Sequence, residues 1–359
     1  MFKQKFNIGN YVIGVEQPCF VIAEISANHN QDFDTSMIMV KEFIKAGADA
    51  IKLQTYTADE LTIDYDKGFF AIPKNNQFAG PKNLYELYQG SYMPWKFQAR
   101  LKKAADELGV PMFSTPQSLE AVDFLEKELK VDAYKIASFE ISHFDLLERV
   151  AKTGKPVIIS NGGASIREIS EAIEFLERHG CNEMAMLQCS SGYPSLPDQM
   201  NLSNIKAIKE IFGIPVGLSD HTEGLGVAIA SVVMGACIVE KHVTLNKKAI
   251  GPDHRFSMEP GEFSLMVKSI RQVEAAINSG VSFNVNVGRE EQNKNQFTRS
   301  VYVVKNLKKG DVLTRENIRV IRPGGGLHPR EFEYVLGMKI NSSVSRGTPM
   351  NWDLIKQLD

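Results

Sequence analysis

Ser219-Asp220-His221-Thr222 is followed by Glu240-Lys241-His242, so two histidines stand 21 residues apart, each close behind a short apolar run. The runs, 214–218 and 236–239, have the length and β-branched content of buried strands, and a helix-like stretch lies between them. Neighbouring parallel strands joined in this way end side by side, and two imidazoles at such ends are candidate ligands of one metal ion. The flanking carboxylates Asp220 and Glu240 are placed to orient them. The spacing matches neither the HExxH helix pattern nor a zinc finger. Two imidazoles with open positions left for substrate oxygens suit Mn²⁺ or Mg²⁺ better than a closed structural zinc. The plainer alternative is that each histidine is hydrogen-bonded in the wall of the fold.

Other polar residues fall where apolar runs stop. Glu24, Lys52, Gln54, Thr115, Lys135, Ser138, Ser160, Ser191 and Ser219 all close such runs or follow them. Residues two apart share a face of a strand, so Lys52 goes with Gln54, and Glu240 with His242 opposite Lys241. Charges on buried strands need a partner or a task. Glu24, Lys52 and Lys135 either pair with one another inside the fold or present positive charge beside hydroxyls, a combination suited to a phosphate and a carboxylate. Asp253, in Gly251-Pro252-Asp253, is equally a turn residue or a site residue, and His29 equally a loop hydrogen-bonder or a substrate contact. His143 and His179 read as solvent-facing.

The elements that must position these groups are strands. From Phe20 onward, short apolar runs alternate with amphipathic stretches, and eight runs predict strands at 20–24, 50–54, 111–115, 133–137, 156–160, 184–189, 214–218 and 236–240. Helical periodicity follows them, as over 35–46 and 165–178, and a last helix is predicted over 260–276. Eight strand-helix units imply a closed (β/α)8 TIM barrel, whose chemistry gathers at the C-terminal strand ends. The second connection, 55–93, is long enough to shape a binding site. The predicted organisation is a barrel over 1–280, a polar linker over 281–297, and a small β-rich domain over 298–359, where 300–304, 312–313 and 318–321 are short apolar segments separated by turns.

A net charge of −2 among 359 residues gives no electrostatic reason to expect nucleic acid or an anionic membrane as partner. Cys19, Cys181, Cys189 and Cys237 have no CxxC spacing, and three lie in apolar runs, as reduced buried thiols do. The first dozen residues lack the apolar segment of a secretory signal, and no run approaches a membrane span. A cytoplasmic protein is the expectation.

The segments Ala23-Glu24-Ile25-Ser26-Ala27-Asn28-His29, Lys52-Leu53-Gln54-Thr55, Ser114-Thr115-Pro116, Tyr134-Lys135-Ile136-Ala137-Ser138, Ser219-Asp220-His221-Thr222, Glu240-Lys241-His242 and Gly251-Pro252-Asp253 together resemble the nonulosonic (sialic) acid synthases. The likeness runs through nearly all the chain, including a tail similar to that family's antifreeze-like (SAF) domain. Ile25 to His29, Gln54 to Asp59, Leu84 to Tyr88 and Met93-Pro94-Trp95 resemble the pseudaminic branch more than the N-acetylneuraminic or legionaminic ones.

The resemblance implies a transferase that condenses phosphoenolpyruvate with an open-chain amino-sugar aldose, releasing phosphate by C–O cleavage; for the pseudaminic branch the aldose is 2,4-diacetamido-2,4,6-trideoxy-L-altrose. It implies that His221 and His242 bind a divalent metal, Mn²⁺ or Mg²⁺. Lys52, Thr115, Lys135, Ser138, Ser160, Ser191 and Ser219 then hold phosphoenolpyruvate, and Gln54, Glu140, Tyr193, Asp253 and Arg322 face the sugar. Glu24 becomes the residue that positions or deprotonates water. Ser191 departs from the sialic branch, which usually has Asn there. Arg322, in Arg322-Pro323-Gly324-Gly325-Gly326, matches a position that reaches the neighbouring subunit, implying a homodimer with swapped tails. Two other readings stay open: a Schiff-base aldolase with Lys135 or Lys52 as nucleophile, and a non-catalytic carbohydrate- or ice-binding protein, to which the tail lends only Thr314 and Thr348 as threonines after Ser300.

Overall fold

The computed structural model describes residues 2–73, 80–278, 293 and 295–355. The chain divides into two compact units, Met1–Asn278 and Ser279–Asp359.

The first unit opens with a hairpin, β1 (Lys5–Ile8) and β2 (Tyr11–Gly14), turned by Gly9-Asn10 with Gly9 in the left-handed region at φ 54°. Glycine at the first position of a two-residue hairpin loop allows that turn without a steric penalty. Phe6, Ile8 and Ile13 are buried in the same apolar cluster as the barrel strands, and the Tyr11 ring lies edge-on to Phe20 at 5.3 Å. The sequence reading did not foresee this hairpin, because its strands are only four residues each and half polar.

Eight parallel strands follow: β3 (Phe20–Glu24), β4 (Ala50–Thr55), β5 (Met112–Pro116), β6 (Tyr134–Ile136), β7 (Val157–Ser160), β8 (Met184–Cys189), β9 (Val216–Asp220) and β10 (Ile238–His242). They pair in sequence order and β10 closes on β3, giving a closed barrel. β9 and β10 begin two residues later than the apolar runs suggest. Pro215 has no N–H to give to a ladder, and Gly213 is still the left-handed cap of the preceding helix, so regular pairing starts at Val216. The shift carries His242 into the strand itself, paired with Glu24 of β3.

The helices are α1 (Phe33–Lys45), α2 (Ala58–Leu61), α3 (Leu84–Ser91), α4 (Trp95–Glu107), α5 (Leu119–Phe124), α6 (Phe144–Ala151), α7 (Ile166–Arg178), α8 (Asn204–Phe212), α9 (Gly226–Val233) and α10 (Pro260–Asn278). Asp32 caps α1 by accepting from Thr35 N, and Ser165 with Glu168 forms a capping box at α7, which fixes where each helix leaves its strand. Arg271 of α10 donates to Cys19 O at 2.7 Å and to Asp49 Oδ2 at 2.6 Å, while Asp49 Oδ2 accepts from Val21 N at 2.8 Å. That network ties the last helix to the first two barrel strands where the cylinder closes. No helix among the described residues is long and apolar enough to cross a membrane, and the four cysteines are free and buried.

The second unit holds an antiparallel pair, β11 (Ser300–Val303) and β12 (Ile318–Ile321), over a small core of Val301, Val303, Leu307, Leu313, Ile318, Val335, Ile340, Met350 and Ile355. The segment at 312–313 contributes an isolated bridge, Val312 to Lys339, rather than a strand. Gly326 is more than a flexible turn: a Cβ there would stand 2.4 Å from Val301 O. The predicted linker lies largely outside the described residues.

Candidate active site at the C-terminal end of the barrel

Alternation along the strands sends one polar set inward. Lys52, Gln54, Thr115, Lys135, Ser138, Ser160, Ser219, Glu240 and both histidines line one small cavity of about 60 Å³. Gln54, Tyr193, His242, Gln117 and Ala137 also line a second cavity of about 280 Å³, walled further by Ser26, Tyr56, Leu84, Leu87, Tyr88, Phe139 and Asp253. The two spaces therefore share walls at His242 and Tyr193.

In the small cavity, the Lys52 ammonium forms an ion pair with Glu24, donates to Thr115 Oγ1 at 3.1 Å and lies 3.6 Å from Glu240 Oε1. Lys135 Nζ is 3.5 Å from that same oxygen, and Ser219 Oγ donates to it at 3.3 Å. Burial disfavours the charged form of Lys52, yet Glu24 and then Glu240 hold it above the ordinary lysine value. For Lys135 burial wins: with Lys52 as a repelling neighbour, Glu240 only partly offsets it and the ammonium sits below its ordinary value. Burial opposes the Glu240 carboxylate too, but Lys135 and Lys52 keep it well below the usual carboxylate range. Both earlier readings of these charges thus hold: they pair inside the barrel, and the lysines face open space.

Glu24 is fully buried and lines neither cavity. Its Oε1 accepts from Ser26 N at 3.0 Å and from Gln54 Nε2 at 3.3 Å, so it stands behind Lys52 and Gln54.

The hydroxyls of Ser160 and Ser191 are buried without a partner among the described residues, an arrangement that costs free energy unless a ligand or water meets them. Beside them Gly162 N donates to Ser138 Oγ at 2.9 Å, and a Cβ on Gly162 would stand 2.4 Å from Ser191 Oγ and 2.8 Å from Ser138 Oγ. Only glycine leaves this cradle open. The sequence reading missed it, since nothing in Asn161-Gly162-Gly163 distinguishes an anion cradle from a turn.

The two imidazoles lie 5.0 Å apart between ring centroids, packed between Tyr193 (4.4 Å from His221) and Phe256 (5.2 Å from His242). His221 Nδ1 is 3.0 Å from Ser190 O, so the carbonyl holds the Nδ1–H tautomer and leaves the Nε2 lone pair available. His242 Nδ1 is buried without a hydrogen bond and lies 3.6 Å from Asp253 Oδ2. An unsatisfied ring nitrogen beside a carboxylate fits a divalent cation. No group of three or more His, Cys, Asp or Glu side chains placed to hold a metal occurs among the described residues.

The expectation that Asp220 and Glu240 orient the histidines is overturned. Asp220 faces the other way, where its Oδ2 is 2.7 Å from Lys241 Nζ and its Oδ1 accepts from Thr222 N and Oγ1 at 2.9 and 2.7 Å. Glu240 serves the lysines. The reason is the two-residue period: Ser219 takes the inward side of β9 and Asp220 the outward one.

In the larger cavity Asp253 accepts from Ser26 Oγ, and Gln54 Nε2 donates to Ser26 Oγ at 3.1 Å. Burial alone would raise the Asp253 carboxyl, but His242 and Ser26 bring it below its ordinary value. Glu140 lines neither cavity; its Oε2 lies 3.4 Å from Nδ1 of exposed His143, and its own carboxyl is raised by burial. His29 lines neither cavity as well: it is buried, and its Nδ1 accepts from Gln31 N at 2.8 Å, a loop hydrogen-bonder. His179 is half-buried, its Nδ1 2.8 Å from Phe175 O. Arg322 belongs to the second unit, its guanidinium 5.8 Å from the Phe297 ring.

Residues 39–282 match the NeuB family and residues 298–356 the SAF domain. An uncharacterized protein of Methanocaldococcus jannaschii is 39% identical over 350 residues, covering 98% of each chain. The pseudaminic acid synthase of Helicobacter pylori is 38% identical, covering 95% of this chain and 99% of that one. The N,N'-diacetyllegionaminic acid synthase of Legionella pneumophila is 33% identical, with 96% of each covered. Among solved structures, spore coat polysaccharide biosynthesis protein SpsE of Bacillus subtilis aligns over 99% of this chain and 100% of that one, at a TM-score of 0.66 and 31% identity. The chain belongs to the NeuB family and carries a C-terminal SAF domain.

Proposed function

We propose that this NeuB family member is a pseudaminic acid synthase, a transferase condensing phosphoenolpyruvate with 2,4-diacetamido-2,4,6-trideoxy-L-altrose to give pseudaminic acid and phosphate. The observation that carries the reading is the junction of the two cavities. A cationic, hydroxyl-lined space that suits an anion meets a larger space that suits a sugar, and His242 lines both, with His221 beside it in the small one.

Lys52, Lys135 and the hydroxyls of Thr115, Ser138, Ser160, Ser191 and Ser219 bind the phosphate and carboxylate of phosphoenolpyruvate, with Gly162 N–H at their edge. The anion's charge favours the Lys135 ammonium, which the empty cavity disfavours. His221 and His242 would hold a Mn²⁺ or Mg²⁺ ion, which supplies Lewis-acid polarisation of the aldehyde oxygen. Gln54, Tyr193 and Asp253 orient the aldose so that its C1 meets C3 of phosphoenolpyruvate. A C–C bond forms there, water adds at C2, and the C2–O bond to phosphate breaks. The lysines stabilise the departing phosphate, while Glu24, held against Lys52 and Gln54, positions the water or its proton. A homodimer in which Arg322 of one chain completes the sugar site of the other belongs to the same proposal; sedimentation of the intact chain, with Arg322→Ala as a kinetic variant, tests it.

The deciding experiment measures phosphate release from phosphoenolpyruvate with Mn²⁺ and three aldoses: the diacetamido-trideoxy altrose, its manno legionaminic counterpart, and N-acetylmannosamine, each with and without EDTA. Chelator-sensitive release with the altrose alone is expected. Preference for another aldose moves the assignment to a legionaminic or N-acetylneuraminic acid synthase, and no release with any of them overturns the synthase reading. The depressed Lys135 is the one feature favouring a Schiff-base aldolase. Borohydride trapping of a lysine adduct in the presence of EDTA would establish that chemistry instead.

A further inference from the structure

Helix α3 spends its apolar face in an unusual place. Leu84, Leu87, Tyr88 and Ser91 recur at the i, i+3, i+4, i+7 spacing of one helix face. In most surface helices such a face packs on the core, yet none of these residues joins the barrel's apolar cluster. All four line the larger cavity instead, and all are half-buried. Asn83 caps the helix by accepting from Glu86 N at 2.8 Å and donates to Asp64 Oδ1 at 3.0 Å, which anchors its first turn. Tyr56, buried in the connection after β4 and itself part of the cavity wall, meets Tyr88 edge-on at 6.0 Å. The apolar wall is therefore built and held.

The same cavity also has a polar lining, with Asp253 Oδ2 3.6 Å from His242 Nδ1 and Gln54 Nε2 3.1 Å from Ser26 Oγ. A ligand that enters with a reactive polar end at the histidines presents its far end to α3. We infer that the Leu84, Leu87 and Tyr88 face of α3 selects aldoses by their apolar far substituents, the C6 methyl of a 6-deoxy sugar and the methyl of its distal acetamido group. The inference rests on the synthase reading and adds the element that chooses among its aldoses. A hydroxyl placed against the two leucines loses its water and finds no partner there, whereas a methyl gains by burial. An apolar wall discriminates by a bounded amount, because added hydroxyls are rejected far less strongly than missing hydrogen bonds.

The test uses the full-length protein and the ratio of kcat/KM for the 6-deoxy diacetamido aldose over its 6-hydroxy analogue, read as phosphate release. The wild type is expected to prefer the 6-deoxy form by roughly 10- to 100-fold. Leu87→Gln and Leu84→Gln, both compatible with a helix, should each shrink that ratio about 10-fold while leaving KM for phosphoenolpyruvate unchanged, and Leu87→Met should preserve it. A wild-type ratio near one overturns the inference without any variant. So does an unchanged ratio in both Gln variants that keep the wild-type thermal transition. A wild type inactive with every aldose overturns the synthase reading itself, an outcome distinct from either of those.

Discussion

The two cavities at the top of the barrel are built by opposite strategies. The small one is made of strand ends whose charges hold one another across the barrel: Glu240 lies beside both lysines, and Glu24, behind the wall, pairs with Lys52. The larger one takes one wall from those strand ends and the other from an excursion between β4 and α4, where short elements carry Tyr56, Leu84, Leu87 and Tyr88. On the proposed function, chemistry that needs charges held to a fraction of an ångström falls to the strand ends and choice of aldose to the connection. Variants in the first region should abolish turnover for every aldose alike; variants in the second should redistribute turnover among aldoses.

The sharpest way to break that division is at the histidines, of which His242 lines both spaces and His221 the small one. His242→Ala removes an imidazole whose Nδ1 is buried without a hydrogen bond among the described residues, 3.6 Å from Asp253 Oδ2, and turnover is expected to fall by about 10³-fold or more with all aldoses. Titration with Mn²⁺, followed calorimetrically, should lose its binding signal in His221→Ala and His242→Ala alike. Retained metal binding in both variants would remove the two histidines from the metal site.

Glu24→Gln comes next. If Glu24 works on water through the Gln54 network, kcat falls by roughly 10²-fold with little change in KM for phosphoenolpyruvate. A rise in KM with kcat preserved would show that Glu24 does no more than hold Lys52. Either result assigns the residue, and both keep it on the strand-end side of the comparison.

The same division governs what could be read from sequence. Buried parallel strands appear as apolar runs, and a charge at the end of such a run is conspicuous, so Lys52, Lys135, Glu240 and His242 stood out, and all eight strands were placed to within about two residues. What escaped were features set by tertiary contact. Leu84 to Tyr88 was placed in the long connection expected to shape a binding site, but which of its residues line the cavity shows only in the fold. Gly162 looks like a turn until the hydroxyls of Ser138 and Ser191 are seen closing on it. Asp220 was misjudged because adjacency in sequence is not adjacency on a strand, where one residue's displacement reverses the side chain.

Gly162→Ala is a smaller perturbation of the small cavity. The added methyl would stand 2.4 Å from Ser191 Oγ and 2.8 Å from Ser138 Oγ, so both hydroxyls, the ends of short side chains, must move aside. KM for phosphoenolpyruvate should rise about 10-fold, with the preference among aldoses unchanged and the thermal transition within about 1 °C of wild type. A shift in aldose preference from this position would mean that the two cavities are not energetically separate.

The mildest probe reaches the larger cavity through acid. His29, in the loop after β3 that carries Ser26 and Ala27 of the cavity wall, is buried with its Nδ1 accepting from Gln31 N. Burial, with His254 nearby, depresses it from 6.5 to about 4. The folded loop thus holds the neutral ring where an unfolded chain would take up a proton. Its stabilising preference for the neutral form is complete above pH 6.5 and is lost progressively as the pH falls toward 4, amounting to at most about 3 kcal/mol. At neutral pH the effect on turnover is nil. Between pH 6.5 and 4, denaturant midpoints should decline, and the decline should be shallower in His29→Gln, whose side chain cannot take up that proton. Hydrogen exchange followed over the same range should show the 26–31 amides opening before those of β4 and β5, because the proton enters at the loop and not at the strand ends. If all three segments opened together, the loop and the barrel top would be one cooperative unit, and the division between a rigid reaction site and an adjustable recognition site would fail at its boundary.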